Sequence, residues 1–117
     1  MAPASYDEIP IVAPRDAFDL VAAGAVLVDV REDFEWEAGH APTARHIPLS
    51  ELQEQVDGLP RDKDVLLVCR AGSRSARATA FLLQSGFKAS NVDGGMTAWA
   101  AEALPMESED GSPAVVA

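Results

Sequence analysis

The only cysteine of the chain, Cys69, is followed by Arg70, Ala71, Gly72, Ser73 and Arg74, with Arg77 a turn further on. A thiolate is a strong nucleophile and a thiol is not, so a cysteine built for chemistry needs surroundings that favour its charged form. Three features of this stretch would do so. The apolar run Val65-Leu66-Leu67-Val68 reads as a buried strand, and Ser73 to Ser85 reads as a helix ended by Gly86. Cys69 therefore falls at a helix start, where unpaired N–H groups and the positive end of the dipole favour negative charge. Gly72 can adopt torsions that turn several N–H groups inward. Arg70, Arg74 and Arg77 add three of the chain's nine basic residues, against nineteen acidic ones and a formal net charge of −10. A lone buried cysteine is more often a small apolar side chain. This combination points instead to a nucleophile with an anionic reaction partner.

The other chemically capable residues divide by position. Arg70 directly follows the cysteine and is placed to meet a substrate. Arg74 lies near the helix start, where a cation opposes the dipole, so a local anion is expected there. Arg77 reads as a surface or ion-pair residue. Asp29 interrupts an apolar run, and a buried carboxylate needs partners. Arg31 or the neighbouring loop could supply them, which makes Asp29 architectural, with Arg31 and Glu35 structural or at the rim. His40 and His46 stand at no ligand spacing with each other or with Cys69, so no metal site is expected. Gly94-Gly95 is too weak a signal for a phosphate loop and reads as a tight turn into the last helix. A single cysteine excludes an intramolecular disulfide and a multi-thiolate zinc site.

The elements that must position these residues alternate along the chain. Ile9–Val12 reads as a strand, Pro14 to Gly24 as a helix, and Ala25–Val30 as a buried strand. Glu32–Ala38 reads as a short helix. Ser50–Val56 reads as another, with Ser50 as N-cap and Gln53 completing a capping box. After the cysteine loop and its helix come a strand at Ser90–Asp93 and a helix at Met96–Ala103. The pattern predicts one α/β domain with a largely parallel sheet, whose ligands bind beyond the carboxyl ends of the strands. The domain is expected over residues 6–106, with flexible tails at 1–5 and 107–117. No signal peptide or membrane-spanning run is visible, so a cytoplasmic protein is expected. The bulk acidity argues against nucleic acid and anionic membranes as partners.

Taken together, these stretches resemble a known family. Cys-Arg-x-Gly-x-Arg after an apolar strand is similar to the active-site loop of single-domain rhodaneses. Val26-Leu27-Val28-Asp29-Val30-Arg31-Glu32, with Glu35, Gly39 and His40, resembles the family's first signature, and His46-Ile47-Pro48 the strand that follows it. Asn91-Val92-Asp93-Gly94-Gly95-Met96-Thr97-Ala98-Trp99 resembles its closing motif. Thr43 departs from the pattern, which has glycine there. The resemblance implies a rhodanese-like three-layer domain with a central, mostly parallel sheet flanked by helices. It implies a sulfurtransferase that moves sulfur from an anionic donor such as thiosulfate to cyanide or a thiol, through a persulfide on Cys69. Arg70, Ala71, Gly72, Ser73 and Arg74 would bind the substrate, with Asp29, Arg31 and Ser75 in support. No cofactor is implied, and a protein could serve as sulfur acceptor. The alternatives are a sulfur carrier or regulatory module acting with a partner protein, and a phosphatase or arsenate reductase. The last pair place an arginine six residues after the cysteine. Here Ser75 stands there, so negligible phosphatase activity is expected.

Overall fold

The computed structural model describes residues 9–117. The expected N-terminal tail, 1–5, lies outside them. Strands β1 (Ile11–Val12), β2 (Val26–Asp29), β3 (Arg45–His46), β4 (Asp64–Val68) and β5 (Lys88–Val92) form one sheet in the order β1-β5-β4-β2-β3. All four pairings are parallel. Parallel neighbours need crossovers, and the helices supply them. These are α1 (Pro14–Ala22), α2 (Asp33–Ala38), α3 (Leu52–Gln55), α4 (Ser73–Gln84) and α5 (Gly95–Ala101).

The central strands are apolar on both faces because helices cover both. Val26, Val28, Val65 and Leu67 face a core with Leu52, Ala78, Leu82 and Phe87, on the side of α3 and α4. Leu27, Leu66 and Val68 face the opposite core with Ala17, Met96 and Trp99, from α1 and α5. The alternation within each strand makes the three layers, as the resemblance implied.

Two expectations are corrected. The capping box foreseen at Ser50 and Gln53 is absent. Leu49–Glu51 is a 3₁₀ turn with no side-chain cap, α3 follows it, and Val56–Gly58 is a second such turn. Ser50 lies inside the first of these turns, whose Leu52 amide donates to the Leu49 carbonyl, so it does not stand at a helix N-cap. A capping box forms instead at α2, between Glu32 and Glu35. The last strand also starts earlier than its apolar pattern suggested, because Lys88 and Ala89 pair with Asp64 and Val65.

Residues 107–117, expected as a flexible tail, lie back against α2. Glu107 and His40 exchange backbone hydrogen bonds of 2.9 Å in both directions, and the Val115 amide donates to the Ala38 carbonyl at 3.0 Å. The Trp36 Nε1–H donates to Glu109 at 2.8 Å, and Val116 packs on the α1–α5 core. No helix among the described residues is long and apolar enough to cross a membrane.

Candidate active site

The sheet register assembles the site. Leu67 of β4 pairs with Asn91 of β5, and Val68 pairs with Asp29 of β2. The carboxyl ends of three neighbouring strands therefore meet at Cys69, which is buried. Gly72 N-caps α4 at φ 118°, a left-handed torsion open to glycine at little cost. This turn sends the Gly72 N–H to the Cys69 sulfur at 3.1 Å. Ser75, in the first turn of α4, brings its Oγ to 3.2 Å from the same sulfur.

The far side of the loop is held by α5. The amides of Met96 and Thr97 donate to the carbonyls of Cys69 and Arg70 at 2.8 and 3.0 Å. Gly95, at φ 58°, lies so close that a Cβ there would stand 2.4 Å from the Cys69 oxygen. The Gly94-Gly95 turn thus does more than redirect the chain: it lets backbone meet backbone.

Burial is the largest single influence on the Cys69 thiol and pushes it up. The Ser75 hydroxyl, then the N–H groups of Ser75, Gly72 and Ala71, outweigh that and leave the thiol below its ordinary value. Of the inward N–H groups expected from sequence, the Gly72 amide is the one within hydrogen-bond distance of the sulfur. The arginines are arranged differently. Arg74 is clasped by Glu35 of α2, Nη1 to Oε1 at 2.7 Å and Nη2 to Oε2 at 2.8 Å. The anion expected near the helix start is thus one of the protein's own carboxylates. Their hydrogen bond holds the Glu35 carboxyl below the usual range, against the opposing effect of burial. Arg70 is exposed, with its Nε on the Ala117 carbonyl at 2.9 Å, and Arg77 is exposed. Ala71 and Ser73 are exposed as well.

Asp29 and Arg31 form a buried pair at the end of β2. Both are fully buried, and the Arg31 Nη2 lies 2.7 Å from Asp29 Oδ2. Asp29 also accepts the Arg31 amide at 3.1 Å, and Arg31 donates to the Gly39 carbonyl at 2.7 Å. The ring of Trp36 stacks on both His40 and His46, at 3.6 and 4.8 Å between centroids. Asn91, in the closing motif, carries no site role expected from sequence. It is buried, and its side chain reaches both Ser75 and Gly72. Nothing in the strand, Lys-Ala-Ser-Asn-Val, sets it apart from the polar Ser90 beside it, so no local signal marks it.

A parallel three-layer sheet with a hydrogen-bonded cysteine at the start of a helix defines a cysteine-loop α/β protein. The rhodanese-like domain family matches residues 14–102, and the chain belongs to it. A Bacillus subtilis protein that carries a sulfurtransferase name, YtwF, is 43% identical over 79 residues, covering 68% of this chain and 77% of the relative. A sulfurtransferase of Allochromatium vinosum is 37% identical over 87 residues, covering 74% of this chain and 81% of its own. The crystal structure of a rhodanese-related protein from Thermoplasma volcanium superposes with a TM-score of 0.78 at 36% identity, covering 83% of this chain and 96% of that one. Its relatives place the chain among the sulfurtransferases.

Proposed function

We propose that the chain moves a sulfane sulfur through a persulfide on Cys69, from an anionic donor such as thiosulfate to cyanide or a thiol. The observation that carries this reading is the Cys69 sulfur itself, buried and accepting from the Gly72 N–H and the Ser75 Oγ. In the first step the thiolate attacks the outer sulfur of the donor. A bond from Cys69 to that sulfur forms, the donor's S–S bond breaks, and sulfite leaves with the electron pair. In the second step the acceptor attacks the outer sulfur and the Cys69 thiolate departs. The N–H groups of the loop stabilise the terminal charge of the persulfide much as an oxyanion hole does. Arg70, exposed beside the loop, meets the donor's oxygens, while Arg74 ties the loop to α2 through Glu35.

With one cysteine in the chain, no internal thiol can discharge the persulfide, so the acceptor comes from outside. A small thiol, cyanide or a protein thiol would serve, as in a reducing cytoplasm. Neither displacement needs a resident cofactor. The phosphatase reading is not supported, since the position six after the cysteine is a buried serine bonded to sulfur and Arg74 is already occupied.

Intact-mass analysis after exposure to thiosulfate tests the proposal. The wild type is expected to gain one sulfur atom, to lose it on adding cyanide or a thiol, and the Cys69→Ser variant to gain none. A wild type that gains nothing from thiosulfate overturns the donor assignment. Release to a protein thiol with none to small acceptors would favour the carrier reading.

A further inference from the structure

Asn91 touches both groups that surround the nucleophile. Its Nδ2 donates to the Gly72 carbonyl at 3.1 Å, and its Oδ1 lies 2.6 Å from the Ser75 Oγ. Rotating the amide would set Oδ1 against the Gly72 carbonyl, acceptor against acceptor, so the orientation is fixed by chemistry. The Ser75 hydroxyl has a single proton and three acceptors in reach: Asn91 Oδ1 at 2.6 Å, Cys69 Sγ at 3.2 Å and the Gly72 carbonyl at 3.3 Å. Asn91 already serves the Gly72 carbonyl. The contest is therefore between Oδ1 and Sγ.

Its outcome depends on the charge of the sulfur. While Cys69 is a thiol, its S–H can donate to Ser75 Oγ, which leaves the hydroxyl proton for Oδ1. A thiolate is the stronger acceptor and takes that proton, leaving Oδ1 without a donor. We propose that Asn91 is a positioning residue for the nucleophile: its Oδ1 holds the Ser75 hydroxyl while the sulfur is neutral and releases it when the sulfur becomes charged. This rests on Cys69 acting as the nucleophile. The proton stays on Ser75 throughout, and only its acceptor changes. In sulfur transfer the Cys69 sulfur alternates between thiolate and the neutral inner sulfur of a persulfide. The hydroxyl then turns twice per cycle, and whenever Cys69 is protonated Asn91 opposes its ionisation.

The sign of that effect makes the proposal testable. The rate of Cys69 alkylation by iodoacetamide, followed against pH, reads the thiolate directly and needs no sulfur donor. Asn91→Leu removes the competing acceptor, so its midpoint is expected about 0.5 pH unit or more below that of the wild type. In a Ser75→Ala background the same change is expected to leave the midpoint where it is. A loop merely loosened by losing Asn91 would carry the Gly72 N–H away from the sulfur and raise the midpoint. An upward shift, no shift, or an equal shift in both backgrounds overturns the proposal. Should Asn91→Leu fail to fold, Asn91→Asp keeps the side-chain size and strengthens the acceptor, and its loss of the Nδ2 donor to the Gly72 carbonyl is common to both Ser75 backgrounds. It should raise the midpoint more with Ser75 present than in Ser75→Ala, and an equal rise refutes the assignment. A wild type that takes no sulfur from thiosulfate leaves these measurements intact.

Discussion

Three separate residues decide the chemistry of one sulfur atom. Cys69 is held by dipoles: the Gly72 N–H and the Ser75 hydroxyl bond its sulfur, and Asn91 holds both. Of the arginines that follow it in sequence, Arg74 is turned away to Glu35. Glu35 is buried and its carboxylate carries both Arg74 bonds. Replacing it strands a partly buried guanidinium, so Glu35→Gln is expected to cost about 2 kcal/mol at neutral pH. The pH dependence follows from the lowered carboxyl. Its stabilising effect is fully present above the unfolded value near 4.5 and is lost as pH falls through the lower folded value. Urea midpoints of wild type and Glu35→Gln should therefore differ at about pH 7 and converge towards about pH 3. A gap that persists into acid would mean that shape, rather than charge, ties α2 to α4.

Between elements, α5 is the clamp on the cysteine loop. Gly95 permits the approach, and a Cβ there would meet main-chain atoms of Cys69 and Arg70 at 2.4 to 2.6 Å, where no side chain can yield. Gly95→Ala is expected to cost about 3 kcal/mol and to displace the loop from α5, with loss of persulfide formation even in protein that remains folded. Gly58→Ala is the control, since nothing lies within 4 Å of a Cβ at that position. It should change stability by no more than about 0.5 kcal/mol. Equal urea midpoints for the two variants would show that the loop can move away from α5 at little cost. The secondary structure around this clamp was largely legible, since apolar runs and bounding glycines mark β2, β4 and α4. The capping box expected at Ser50 does not form because a local motif says nothing of main-chain partners, and here the Leu52 amide donates to the Leu49 carbonyl within a 3₁₀ turn.

Across the whole molecule, the segment from Glu107 to Val115 closes over α2 rather than trailing from it. Its composition, rich in acidic residues with Gly111 and Pro113, resembles that of an unstructured tail. The contacts that hold it are backbone hydrogen bonds and the Trp36 indole, which composition does not encode. The amides of Glu107, Glu109 and Val115 donate to the carbonyls of His40, Glu37 and Ala38. Hydrogen exchange is expected to find these three amides protected well beyond free-chain rates. Free-chain exchange at all three would restore the reading of a flexible tail.

Legible along the chain were the α/β class, the place of Cys69 between strand and helix, and the Gly72 turn behind it. Each is local: strand runs, helix stops and a glycine torsion are properties of neighbouring residues. Which groups face the sulfur, and which face each other, came from three-dimensional packing alone. Glu35 reaches Arg74 across 39 positions, and Asn91 reaches Ser75 across 16. Such pairings are set by sheet register and helix packing, so a charge counted along the chain is not yet a charge delivered to the site.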